Sequence, residues 1–306
     1  MFLIFTKMLM IGLMLAIGVL IYHLGIVTTS GNRELSALII NVCSPVMTIS
    51  SVLADDSEFT LEKLGLTVLV CAGMYAVFIL FGKVVPPLMG IPKEKRPLYA
   101  MLSVFGNAGF IGIPVALSIL GSSSMLYVVV VNIFYSLFFY SYGYYEISQL
   151  SDKGPTFKPS VLINPGIIAC LIALGIYIFQ PEVPSFLADT MDHVSAGTTF
   201  LSMVVLGVNL AATPLKKVLA VPNMYLFFLL RILALPILMA LVLRPLLPDG
   251  MMVGSFLLMA AMPAGSMTVM LATEQNVETD TLTSGIIIST LMCLVTVPIV
   301  SYFFPV

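Results

Sequence analysis

Ten apolar stretches, each about as long as a bilayer is thick, follow one another along this chain and leave no room for a soluble domain between them. They lie near 3–24, 34–54, 61–84, 98–120, 124–148, 161–180, 186–212, 222–246, 251–275 and 280–304. A spanning helix needs about 20 mainly apolar residues, so each is a candidate span. Turn and breaker residues part them, among them Thr28 to Asn32, Pro86-Pro87 and Pro248-Asp249-Gly250. Composition agrees: 59% of the 306 residues are hydrophobic, 9% are charged and the mean hydropathy is +1.10. Soluble domains average about 45–50% apolar and about 25% charged. The chain reads as an all-α integral membrane protein. A first span at Met1 to Leu24 lacks a small-residue cleavage site, so a retained helix is expected there rather than a removable signal.

Charge excludes other classes. A formal net charge of −2 and the lack of a long basic run speak against nucleic acid as a partner. Cys43, Cys71, Cys170 and Cys293 all fall in apolar stretches, where free buried thiols are expected. The two histidines, His23 and His193, have no metal-ligand company, and no nucleophile stands with a base, so neither a metal site nor an enzyme is expected.

Lysine and arginine collect in alternate connections. The odd ones hold Arg33, then Lys83, Lys93, Lys95 and Arg96, then Lys153 and Lys158, then Lys216 and Lys217; the even ones hold Asp55, Asp56 and Glu58, and later Glu182, Asp189 and Asp192. Lys63 and Arg244 run against this pattern. By the positive-inside rule the odd loops are cytoplasmic and both termini face the external or periplasmic side. The expected location is the plasma membrane, the inner one in a bacterium.

Two spans are interrupted. The fourth carries Gly106-Asn107-Ala108-Gly109-Phe110-Ile111-Gly112-Ile113-Pro114, and the ninth carries Ala261-Met262-Pro263-Ala264-Gly265-Ser266. In hydrocarbon a broken helix survives only against protein or a watery cavity. The breaks sit at matching places in two blocks of five spans, 1–150 and 151–306. An odd number of spans turns the second block upside down, the inverted-repeat plan of secondary transporters. Pro114 and Pro263 suit the first turn of the half-helix after each break. Two positive helix ends then face one another across the crossing, which favours an anion. The first halves leave carbonyls near Phe105 to Ala108 and Met259 to Met262, open to a cation, side chains or water.

The run from Gly106 to Pro114, with Pro263 and the later Ala272-Thr273-Glu274-Gln275-Asn276-Val277, resembles the auxin efflux carrier family. Asn41 through Pro45 and, more weakly, Ser289-Thr290 are compatible with it. The resemblance implies ten helices in two inverted repeats. Helices one, two, six and seven would form a scaffold, often dimeric, and helices three to five and eight to ten a transport body that moves as an elevator. It also implies export of an organic anion. Two positions depart from the family pattern: Ala196-Gly197-Thr198-Thr199-Phe200 lacks the usual proline, and Ala264 stands where plant members have glutamine. Both departures touch the expected pocket, so the expected substrate is a small organic acid, a mono- or dicarboxylate, and not auxin in particular.

The candidate substrate-binding residues are Asn107, Gly106, Ser44, Pro45, Asn41, Pro114, Pro263, Ala264, Gly265, Ser266 and Thr199. Asn107 leads as the polar contact, while the prolines shape the site. Arg231, about nine residues into the eighth span, either holds the anion or braces carbonyls opened by the ninth-span break. Glu274 and Gln275 are candidates for coupling, by a proton or Na+; Glu146 reads as a solvated end group. Other readings stay open: a sodium-coupled organic-anion symporter of the bile-acid type, or an anion-sensing protein or channel.

Overall fold

A computed structural model of the chain describes residues 2–53, 60–151, 165–214 and 218–304. Asp55, Asp56, Glu58, Lys153, Lys158, Lys216 and Lys217, and with them the junction between the two blocks, lie outside the described residues. Twelve helical rods cover most of what is described: α1 Phe2–His23, α2 Thr29–Leu53, α3 Leu61–Leu88, α4 Arg96–Val104, α5 Ile113–Leu120 and α6 Ser122–Ser148. They continue with α7 Pro165–Phe179, α8 Ser185–Ala212, α9 Pro222–Leu246, α10 Gly250–Ala260, α11 Met267–Glu274 and α12 Asp280–Ser301. No strand occurs among the described residues beyond one isolated bridge, between Gly106 and Ala264. Six rods, α2, α3, α6, α8, α9 and α12, are long and apolar enough to cross a bilayer by themselves. The fourth and ninth stretches are not, because each is divided into two short rods.

Two expected boundaries move. Thr28 to Asn32 is not a connection: Thr28 Oγ1 accepts the Gly31 N–H at 3.2 Å, and the helix starts at Thr29. Small polar residues mark turns and helix N-caps alike, so sequence alone reads this stretch either way. Pro86 and Pro87 likewise do not stop α3, which runs on to Leu88.

Three prolines share a local arrangement that the residue pattern did not reveal. Of the four wide π-turns among the described residues, three, at Ile39–Cys43, Ala108–Gly112 and Leu229–Ala234, are followed two residues later by a proline, Pro45, Pro114 and Pro236, and the fourth, at Phe139–Gly143, is not. A proline ring clashes with the carbonyl four residues back and brings no N–H to bond it. Widening the preceding turn by one residue accommodates both effects. The helix after the fourth-span break therefore restarts at Ala108, and Pro114 lies past its first turn rather than in it. Pro263 is not in a first turn either, since α11 begins at Met267.

The rods pack in two groups, which also meet where α6 lies against α7 and α12 against α1. In one, α1 lies along α8, and α2 lies against α7 and α8. The contact of α1 with α8 is backbone to backbone: a Cβ on Gly18 would stand 2.4 Å from the Val204 carbonyl, and one on Gly207 would stand 2.1 Å from that of Leu15. Small residues permit this approach where lipid supplies no hydrophobic drive between helices. Polar pairs stitch α2 to α8: Asn32 Nδ2 donates to Asn209 Oδ1 at 2.8 Å, and Ser50 Oγ donates to Asp192 Oδ1 at 2.5 Å. In the other group α3 packs on α4 and α6, α9 on α10, and α12 on α4, α9 and α10. The Tyr75 hydroxyl donates to the Val131 carbonyl and Ser103 Oγ to that of Phe78, joining α3 to α6 and to α4.

Two ion pairs join rods near their ends among the described residues. Glu146, 1% exposed, is not a solvated end group: it pairs with Lys83, whose ammonium also lies 5.5 Å from the Tyr142 ring centre. Lys63, which ran against the charge pattern, is neutralised by Asp249 at 3.7 Å. Asp249 caps α10 through the Met252 N–H and accepts the Tyr127 hydroxyl at 2.6 Å. Burial works to raise its carboxyl, but the Tyr127 and Met252 hydrogen bonds and the Lys63 ammonium outweigh it and hold the group below its ordinary value.

Candidate functional site at the crossing of two broken helices

Both breaks run extended for a few residues, and in that form a backbone exposes its N–H and C=O groups sideways. They satisfy one another. The Asn107 N–H donates to the Pro263 carbonyl at 2.6 Å, and the Gly265 N–H donates to the Phe105 carbonyl at 2.8 Å, on either side of the antiparallel bridge between Gly106 and Ala264. The Ala264 N–H points away from this pair and donates to Ser289 Oγ on α12 at 3.0 Å. Gly265 is needed for the close approach, because a Cβ there would stand 3.3 Å from the carbonyls of both Gly106 and Phe105 and 3.4 Å from the Tyr135 hydroxyl. Pro263 fits a position that offers only a carbonyl.

From this bridge the chain turns back into helix on both sides. The Asn107 carbonyl accepts the Ile111 and Gly112 N–H groups, opening the Ala108–Gly112 turn that leads into α5. Past the other break, Gly265 and Ser266 accept the Thr268 and Val269 N–H groups as α11 begins, and Thr268 Oγ1 adds a bond of 2.8 Å to the Gly265 carbonyl. The first N–H groups of a helix have no intrahelical acceptor, and its N-terminal end carries about half a positive charge. Two such ends start from one bridge.

The opposite ends are dealt with by a single side chain. Arg231, in the Leu229–Ala234 turn and 2% exposed, donates from Nε to the Ser103 carbonyl at 2.6 Å and from Nη1 to the Ala260 carbonyl at 2.7 Å. Its guanidinium lies 3.7 Å from the centre of the Phe78 ring. Ser103 and Ala260 belong to the last turns of α4 and α10, where carbonyls are otherwise orphaned. Of the two expectations for Arg231, bracing is what the geometry displays, and it reaches both broken helices rather than one.

The other expected residues divide. Gly106, Asn107, Pro263, Ala264 and Gly265 come together at the bridge, with Asn107 5% exposed, and Ser266 stands half-buried at the mouth of α11. Ser44 and Pro45 are half-buried on α2 and Thr199 is half-buried on α8, the helix that packs on the Ala108–Gly112 turn. Asn41 is exposed and its amide turns back to the Ala37 carbonyl of its own helix. Gln275 is buried beyond the C-terminal end of α11, and the Glu274 side chain lies outside the described residues. Phe200 is 43% exposed. Sequence reasoning missed Tyr135, Thr268 and Asn132, whose Oδ1 is 4.0 Å from where a Cβ on Gly109 would be. The polar character of Asn132 within an apolar stretch was the available signal.

Residues 3–160 and 155–301 match the model of a family described as membrane transport protein. An uncharacterized transporter of Methanothermobacter thermautotrophicus is 24% identical over 284 residues, 92% of this chain and 92% of that protein. Another, of Methanocaldococcus jannaschii, is 23% identical over 285 residues, 89% of this chain and 90% of its own. With nearly every residue inside the matched stretches, the chain belongs to the membrane transport protein family, that of the auxin efflux carriers.

Proposed function

We propose that this chain is a secondary active efflux carrier of a small organic anion, a mono- or dicarboxylate, that works by alternating access with its site at the crossing of the two broken helices. The observation that carries this reading is the antiparallel bridge between Gly106 and Ala264, because it starts two half-helices from one point. Their positive ends suit a carboxylate. Asn107 offers the side chain at that point, and Tyr135 and Asn132 border it.

In this reading α1, α2, α7 and α8 form the scaffold, dimeric through that group, and the remaining rods form the moving body. Support comes from the backbone contact of Gly18 with Gly207 in the first group and from the dense packing of α3, α4, α6, α9, α10 and α12 in the second. Ten spans in two inverted repeats fit the matching positions of the two breaks. Ends of even connections meet each other, as Lys63 with Asp249, and so do ends of odd ones, as Lys83 with Glu146 and Ser151 with Gln275. This suits odd loops in the cytoplasm and termini outside.

Thermal unfolding of the purified protein against a panel of mono- and dicarboxylates tests the reading, since a ligand of the folded state raises the midpoint. At least one carboxylate should raise it, and Asn107→Ala should remove the rise. A panel without effect, with stabilisation by organic cations instead, would contradict an anion site.

A further inference from the structure

Arg231 is a fixed positive charge with no acidic partner: neither salt bridge among the described residues involves it. Its acceptors are the Ser103 and Ala260 carbonyls, one in the last turn of each half-helix that enters the crossing. A helix C-terminus carries about half a negative charge, so two of them together balance about one guanidinium. In carriers built on broken helices, unwound carbonyls and half-helix C-terminal ends are where a coupling Na+ is held.

Here that role is taken. Five neighbouring carbonyls of the breaks also have donors: Phe105 accepts from Gly265, Gly106 from Ala108, Asn107 from Ile111 and Gly112, Met259 from Met262, and Pro263 from Asn107. A hard cation needs several oxygens turned toward one point, and these are turned toward N–H groups. We propose that Arg231 is the built-in cation of the crossing, standing where a sodium-coupled carrier would hold Na+, so that the negative helix ends are neutralised without a co-transported metal ion. The positive ends of α5 and α11 are then left unopposed for the anion. Arg231 is thus a positioning residue that acts through the two half-helices and does not touch the substrate. This rests on reading the crossing as the anion site, but its test requires no substrate.

The experiment compares thermal unfolding of the wild type, Arg231→Ala, Arg231→Met and Arg231→Lys in sodium and in choline buffers, with ethylguanidinium or its uncharged analogue ethylurea added. Ethylguanidinium carries the atoms that the alanine variant lacks. The wild-type midpoint should be the same in sodium and choline. Arg231→Ala should unfold at lower temperature and recover by about 3 °C at ethylguanidinium ten times its dissociation constant, with no recovery in ethylurea and none in the wild type. Arg231→Lys, which keeps the charge, should be more stable than Arg231→Met. A wild-type midpoint that rises with sodium, an alanine variant indifferent to ethylguanidinium, or a methionine variant as stable as the lysine variant would each overturn the proposal. Should the alanine and methionine variants fail to fold, the sodium comparison on the wild type still decides. Failure of the anion reading would register instead in the carboxylate screen, leaving the rescue by ethylguanidinium intact.

Discussion

Asn107 is held in place by its own backbone, whose N–H goes to Pro263 and whose carbonyl goes to Ile111 and Gly112. Its side chain can therefore be removed without cutting the bridge. Asn107→Ala should weaken the bound carboxylate about tenfold or more, the loss expected for one hydrogen bond to a charged group. Titration of the stabilising carboxylate against both proteins checks this. Ser289→Ala should act on folding instead: it strips the acceptor from the buried Ala264 N–H, a loss of about 1–3 kcal/mol of stability, read by thermal or chemical unfolding. Asp249 makes stability pH-dependent. Its lowered folded-state pKa means its contribution is full at neutral pH and is lost as pH falls from the ordinary value of 3.8 toward the lowered one. Asp249→Asn should flatten that part of an acid-unfolding profile. Asn107 and Arg231 were legible as residues because polar groups at membrane depth are costly. The acceptors of Arg231 were not, because they are backbone carbonyls 128 and 29 residues away and any residue type supplies a carbonyl.

At the scale of elements, apolar length located nearly every rod, and glycine with proline located both breaks. The internal form of each break was harder to read. Pro114 and Pro263 carry the same residue type but play different parts, one just past a π-turn and the other an acceptor in an extended segment. Which part a proline plays depends on what lies opposite it. The same limit applies to glycine. Gly18 and Gly207 are where α1 and α8 touch, whereas Gly73 on α3 has nothing within 4 Å of a Cβ placed there. Gly207→Val should abolish stable folding, since its side chain would enter the α1 backbone. Gly73→Ala should be neutral or stabilising by about 0.5–1 kcal/mol from helix propensity. Folded yield and unfolding midpoints of the two variants separate a packing glycine from an incidental one. Asn41 illustrates a further limit: the chain pattern placed it beside the site, but its helix turns it outward, and only the helix's orientation fixes that.

The whole molecule brings together what the order of the chain keeps apart. The two breaks, about 160 residues apart in sequence, share one bridge; the residues that brace them come from α3, α9 and α12. Arg231 covers the carbonyls of Ser103 and Ala260 at their negative ends, and in the proposed reading it is this asymmetry, with the positive ends facing a guest, that suits the crossing to an anion. Composition and helix length were enough to give the class of the molecule, and the pairing of the breaks needed three dimensions. The most direct measurement is counterflow in proteoliposomes loaded with an unlabelled carboxylate and given the same compound in labelled form. Saturable accumulation of at least one mono- or dicarboxylate is expected, lost or much reduced in Asn107→Ala at normal protein incorporation. No accumulation of any carboxylate across the panel, or accumulation undiminished in Asn107→Ala, would contradict a carrier whose site is the crossing.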